Sequence, residues 1–151
     1  MGKLGKDPLK YKRLRIFWAK GWGTFQHEIL VITKDKVSFK RIAKDIYGVN
    51  EEFKWEYSTN DLNWKQKFIA LCNCFLSYNK KVDFNKVCDG DYLCFTLTTN
   101  DNHRYIKKFY CIGYHTEYYE LHELLKEFIP LNFKTPSFID YEDYSEIEEE
   151  E

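Results

Sequence analysis

The sequence has no apolar run that could cross a bilayer and no apolar stretch near residue 1 of the kind found in a secretory leader. A membrane-spanning helix needs about 20 mostly apolar residues, and the longest apolar stretches, such as residues 29–32, are far shorter. The five cysteines are an odd number without a leader, which favours reduced thiols. We therefore expect a cytoplasmic protein without membrane contact.

Glycine and proline are scarce, at 7 and 3 residues, and no nucleotide-binding glycine motif is present. Residues 20–24 have two glycines, but they lack the spacing of such a motif and join two predicted strands. No C-x-x-C pair occurs, and Cys72, Cys94 and Cys111 fit positions of small core residues. The sequence thus predicts no cofactor and no metal ion.

No catalytic set of side chains can be recognised either. His115 and His122 are seven positions apart, or about 10.5 Å along a helix axis, which is too far for one zinc ion. We expect both to be partly exposed. An enzyme would need contacts between distant residues, for example His103 or His115 with Cys111 or Glu117. We predict no catalytic residues, and a binding protein rather than an enzyme.

Apolar and polar residues alternate in six stretches, which predicts six strands. They lie within residues 11–18, 25–32, 37–43, 53–57, 93–98 and 104–111. Residues 58–61 can cap a helix with an apolar stripe formed by Trp64, Phe68, Leu71, Cys72 and Phe75.

A second helical stripe consists of Leu121, Leu124, Leu125, Phe128 and Ile129, and Pro130 is predicted to stop this helix. The order is therefore ββββ-α-ββ-α. It predicts an α+β fold with a mostly antiparallel sheet of about six strands and two helices on one face.

Charge is distributed unevenly along the chain. Residues 140–151, here called the acidic segment, contain eight acids and no base, so residues 1–139 carry a formal charge of +7. We predict a flexible N-terminal arm (1–9), one α+β domain (10–135) and a disordered acidic tail (136–151).

The leading functional hypothesis is a non-enzymatic intracellular domain that binds another protein, such as an immunity or antidote protein that inhibits a basic partner. The acidic segment would supply the contact, because opposite charges speed association. The residues expected to bind the partner are Asp140, Tyr141, Glu142, Asp143, Tyr144, Glu146 and Glu148. A disordered, solubilising segment is the simpler interpretation.

The alternative hypothesis is a domain that binds single-stranded nucleic acid, with the acidic segment as an internal competitor. Two predicted strands interleave cations and rings, a combination that can hold phosphates and stack bases. The residues are Lys12, Arg13, Arg15, Trp18, Arg104, Tyr105, Lys107 and Lys108. A competing interpretation is a wet sheet face with charged edge strands that oppose aggregation. An enzyme whose site is assembled only in space is the third alternative.

Overall fold

The computed structural model describes residues 10–19, 25–44, 50–77, 92–110 and 119–139. Its strands are β1 (Tyr11–Ala19), β2 (Phe25–Ile32), β3 (Lys36–Lys44), β4 (Asn50–Ser58), β5 (Tyr92–Thr99) and β6 (Arg104–Tyr110). Its helices are α1 (Leu62–Ser77) and α2 (Tyr119–Lys126). The strands form one antiparallel sheet in the order β4-β3-β2-β1-β5-β6. The predicted α+β fold is confirmed.

Two tight turns set the registers of their hairpins. Between β2 and β3, the Thr33 N–H donates to the Lys36 carbonyl at 2.8 Å, which places Ile32 opposite Val37. Between β5 and β6, Asn102 has a φ of 66°. Asparagine tolerates this left-handed conformation better than most residues, which suits Asn102 to this turn.

One face of the sheet is buried under the helices. Alternate residues of the central strands point to this face, as expected from the two-residue period of a strand, and they are almost fully inaccessible to solvent. The set comprises Leu14, Ile16, Trp18, Leu30, Ile32, Val37, Phe39, Leu93, Phe95 and Leu97. We call this side of the sheet the core face.

Helix α1 begins where the sequence predicts a cap. The Asp61 carboxylate accepts a hydrogen bond from the Asn63 N–H at 2.9 Å, which satisfies one of the unpaired amides of the first turn. All five residues of the predicted stripe, from Trp64 to Phe75, are buried. The Trp64 indole also donates to the Thr33 carbonyl at 3.0 Å and so ties the helix to the β2–β3 turn.

Helix α2 ends earlier than predicted. Its last residue is Lys126, four positions before Pro130. The next three amides, those of residues 127–129, bond to carbonyls three positions back, at 3.0–3.2 Å. Such tighter turns commonly end α-helices, so Phe128 and Ile129 reach the core from turns rather than from the helix.

The chain after α2, residues 127–139, crosses the core face, and we call it the strap. The Trp55 indole donates to the Lys134 carbonyl at 3.0 Å, and the rings of Trp55 and Phe133 lie 4.9 Å apart, edge to face. Phe138 and Ile139 are buried in the main core. The packed chain therefore continues four residues beyond the predicted domain end at residue 135.

Two of the three cysteines predicted to be core residues lie in the described residues, and only one of them is fully buried. Cys72 is buried, and burial raises the pKa of its thiol. Cys94 is half-buried on the opposite side of the sheet, so its prediction as a core residue is wrong. Cys111, the arm (1–9) and the acidic segment lie outside the described residues. No helix within the described residues is long and apolar enough to cross a membrane.

Replacing Leu71 by alanine should lower the free energy of unfolding by about 2–5 kcal/mol, because it leaves a cavity under α1. Leu62→Ala makes the same change on the same helix at a side chain that is 72% exposed, and should cost less than about 0.5 kcal/mol. Urea denaturation of both variants measures the difference. Equal losses would contradict the packing described for α1.

Candidate functional site

The side of the sheet opposite the core face is solvent-accessible and strongly basic, and we call it the open face. The strands contribute two acids to it, Glu52 and Glu56, within the described residues. The cations on the same face are Arg13, Arg15, Lys36, Lys40, Lys44, Lys54, Arg104 and Lys108. Such an excess of cations attracts anionic partners.

Four of these cations lie on β1 and β6, on either side of β5. Arg13, Thr98 and Arg104 form one row across the three strands, and Arg15 lies opposite Thr96 on the next row. We call Arg13, Arg15, Arg104 and Lys108 the basic strip. Its two sides are about 10 Å apart, because two strand spacings separate β1 from β6.

Rings lie beside the basic strip on the same face. The Phe17 ring lies 6.3 Å from that of Tyr92, edge to face, and 5.5 Å from the imidazole of His27. The Arg15 guanidinium lies 6.0 Å from the centre of the Phe17 ring, within the range of a cation–π contact. All four side chains are half-buried, so the rings are partly held by their neighbours and partly accessible.

The acids of the open face are already paired, and they are remote from the basic strip. Glu56 binds Lys36 at 3.1 Å and Glu52 approaches Lys40 at 3.7 Å, both at the β3–β4 edge. Within the described ranges, no carboxylate forms an ion pair with any member of the basic strip. The positive charge of the strip is therefore not neutralised by any described carboxylate.

The structure divides the eight residues predicted to bind nucleic acid. Four of them form the basic strip. Trp18 is 4% exposed on the core face, so its ring cannot stack on a base. Tyr105 is also on the core-face side of β6, where its ring lies 4.5 Å from that of His103. Lys12 lies at a register shift in β1 and is 3.5 Å from the Asn102 side-chain oxygen.

Lys107 has a structural position on the core-face side. Its ammonium group donates to the Phe75 carbonyl at 2.5 Å and lies 4.8 Å from the centre of the Phe75 ring. A cation at this place stabilises the negative end of α1 and satisfies a terminal carbonyl. Burial lowers the pKa of Lys107. Lys107 is therefore committed to the helix end.

The remaining predicted sites fall largely outside the described residues. This holds for the whole acidic segment, and for His115, Cys111 and Glu117 of the enzymatic alternative. His103 is described and is exposed in the β5–β6 hairpin. Across the described part of the chain, no three His, Cys, Asp or Glu side chains are grouped so that they could hold a metal ion.

A second feature of the open face is a shallow depression of about 560 Å³ over β2, β3 and β4. Ile29 and Val31 supply apolar surface to it, while Lys40, Lys54 and Glu56 supply charge. The depression continues the surface of the basic strip, because Val31 lies directly opposite Arg15 and Ile29 lies opposite Phe17. A ligand on the strip could therefore extend onto apolar surface.

The core face contains a buried carboxylate that sequence reasoning did not identify. Glu28 is fully buried on β2, directly opposite Arg41 on β3, and their charged atoms are 3.8 Å apart. Ser137 donates to this carboxylate from its backbone N–H at 2.7 Å and from its hydroxyl at 2.8 Å. With its amide oxygen turned to the guanidinium, Gln26 accepts from Arg41 at 2.9 Å. The group ties the end of the strap to the sheet.

Burial is the main influence on the Glu28 carboxyl, and it raises the pKa above the usual 4.5. The hydrogen bonds from Ser137 and the charge of Arg41 act in the opposite direction. Such a buried acid could be a catalytic group. However, its hydrogen-bond and ion-pair partners among the described residues belong to the sheet and the strap, and they account for its burial structurally.

His122 forms a second tie to the strap. It is 1% exposed, so the prediction that it is partly exposed is wrong. Its Nε2–H donates to the Ile139 carbonyl at 2.5 Å, while Nδ1 lies 3.2 Å from the Glu123 carboxylate. Burial lowers the pKa of His122, while the hydrogen bond to Ile139 and the Glu123 carboxylate act in the opposite direction.

Comparison with known proteins does not identify the chain. No protein-family model matches it, and no curated protein matches it. Its function must therefore be inferred from the chemistry of its own surface.

The Glu28 carboxyl should make stability depend on pH. Because its pKa is raised on folding, the folded protein binds this proton more tightly than the unfolded chain. The free energy of unfolding should therefore fall, relative to that of Glu28→Gln, as the pH rises from 4.5 through the folded pKa. The slope is at most about 1.4 kcal/mol per pH unit.

Urea denaturation of the wild type and Glu28→Gln at several pH values between about 4 and 8 tests this titration. A wild type that gains stability over the variant as the pH rises would show that Arg41 and Ser137 outweigh burial.

Proposed function

We propose that this chain is a non-enzymatic domain that binds single-stranded nucleic acid on the open face of its sheet. The observation that carries the proposal is the basic strip: four cations on two sides of β5, without ion pairs among the described residues, with rings beside them. The cations can bind the phosphates of a nucleic acid, and the rings can stack on its bases.

The basic strip suits a phosphate backbone because its cations line two sides of one track. Arginine can bind phosphate oxygens through two N–H groups at once, and three of the four cations are arginines. The Thr96 hydroxyl, between Arg15 and Ile106 on the same row, can donate to a further oxygen. These contacts would position a strand without reading its sequence.

The rings favour a single strand over a duplex. Phe17 and Tyr92 lie on the floor of the open face, where an unpaired base can lay its flat side on a ring. In a duplex the base faces are covered by neighbouring bases, so only the cations would contribute. The affinity should therefore be higher for single strands than for duplexes of the same length.

A basic protein partner is less compatible with the described surface. The open face would repel it, and the acids that would attract it lie in the acidic segment, outside the described residues. The hypothesis of an immunity or antidote protein therefore depends on that segment alone and stays a prediction.

Salt dependence is the first test of the proposal. The acidic segment repels phosphates, so the measurement uses the full chain and an amide variant, in which the eight acids of residues 140–151 become Asn or Gln. Fluorescence anisotropy with a labelled oligothymidylate measures the binding constant of the amide variant. Its logarithm should fall with the logarithm of the salt concentration with a slope of about −3, as expected for four phosphate contacts.

Arg15→Ala with Lys108→Ala, introduced into the amide variant, should roughly halve this slope, because two phosphate contacts are lost. Lys34→Ala with Lys65→Ala removes the same charge from a turn and from α1, and should leave the slope nearly unchanged. Absence of binding by the amide variant at low salt would refute the proposed function. Equal effects of the two pairs would refute the proposed location.

The contribution of stacking is tested separately at Phe17. In the amide variant, Phe17→Ala should weaken binding by about 1–3 kcal/mol, or roughly 5- to 150-fold, because a base loses its ring. Phe53→Ala is the matched control, since Phe53 is 45% exposed on the core-face side of β4, and it should leave the affinity unchanged. Thermal denaturation confirms that both variants fold. A normal affinity for a folded Phe17→Ala variant would refute the stacking role.

A further inference from the structure

The strap fixes the point from which the acidic segment leaves the folded domain. Ser137 is hydrogen-bonded to Glu28 on β2, and Ile139 is hydrogen-bonded to His122 on α2. Residue 140 follows directly. Because Ile139 is buried in the core cluster, the segment leaves the domain on the core-face side.

The acidic segment is long enough to reach the open face from there. Its twelve residues can span roughly 40 Å when extended. Measured from Glu28, which Ser137 contacts, a path along β2 to Phe25, around one sheet layer and diagonally back measures about 34 Å to Ile29 and about 40 Å to Lys108. The segment can therefore lie over Phe17, and its last residues can reach the basic strip.

The charges of the two surfaces are complementary. The segment has eight acids and no base, whereas the strands give the open face eight cations and two paired acids. Its Tyr141, Tyr144 and Ile147 are interspersed among the acids. These side chains match the mixture of rings and aliphatic groups around Phe17 and in the β2–β4 depression.

We propose that the acidic segment of the chain binds in cis to its own open face, over the basic strip, and competes there with nucleic acid. The competition rests on the proposed function, while the contact itself does not. Attachment in cis gives the segment an effective concentration in the millimolar range, so a weak contact is enough to occupy the face. Carboxylates then stand in for phosphates, and tyrosine rings for bases.

Cys94 provides a direct readout, because it lies between Phe17 and Lys108 on the open face. Iodoacetamide alkylation at low salt should be several-fold faster at Cys94 in the amide variant than in the wild type, as measured by peptide mass spectrometry. High salt should bring the wild-type rate up to that of the variant, because it screens the contact. The buried Cys72 reports any unfolding.

A matched pair of variants separates the contact from net charge. Glu148→Gln, Glu149→Gln and Glu150→Gln remove three acids from the segment, whereas Glu51→Gln, Glu120→Gln and Glu127→Gln remove three that are exposed elsewhere. The first triple variant should speed Cys94 alkylation, and the second should not. Equal rates in the wild type and the amide variant would overturn the proposal, as would protection that rises with protein concentration, which indicates binding between copies.

Measurement of nucleic-acid binding distinguishes this proposal from the proposed function. The amide variant should bind oligothymidylate at least about 10-fold more tightly than the wild type at low salt, which corresponds to about 1.4 kcal/mol. Faster Cys94 alkylation without nucleic-acid binding would support the cis contact and refute the proposed function. Nucleic-acid binding with unchanged Cys94 alkylation would support the proposed function and refute the cis contact.

Discussion

One side of the six-stranded sheet is buried under α1, α2 and the strap, and this layer contact decides how the other side is used. Strand side chains alternate between the two faces, so each residue committed to the core leaves its neighbours on the open face. Helices and strap all lie on one side, as Phe68 from α1, Leu125 from α2 and Phe138 from the strap are all in one core cluster. Neither the described helices nor the strap covers the open face.

Charge is distributed between the two faces according to the cost of burial. The core face accepts one buried acid, Glu28, and supplies it with Arg41 and two donors from Ser137, because an unpaired buried charge is costly. The open face bears its cations in water, where no such pairing is required. The result is a stable interior contact that holds the strap, and an outer basic strip that no described carboxylate neutralises.

The sequence patterns predicted the fold closely, because strand alternation and helical stripes are local signals. They could not reveal that β5 lies between β1 and β6. Both strands that carry the basic residues were therefore predicted, but the surface that they form together was not. Trp18 and Lys107 were grouped with residues of the opposite face, although strand alternation alone separates Trp18 from Arg15 and Lys107 from Lys108. Glu28 had a readable signal: the β2–β3 turn alone places it opposite Arg41. Its bonds to Ser137, 109 positions away, had none.

The most direct test of the account is to map where nucleic acid touches the chain. Oligothymidylate can be cross-linked to the amide variant by ultraviolet light, and the attachment sites located by mass spectrometry. The account predicts attachments on the open face, at Phe17, Tyr92 or Cys94. Attachments at Phe53, Tyr57 or Phe133, which lie on the core-face side, or no attachment at all, would contradict it.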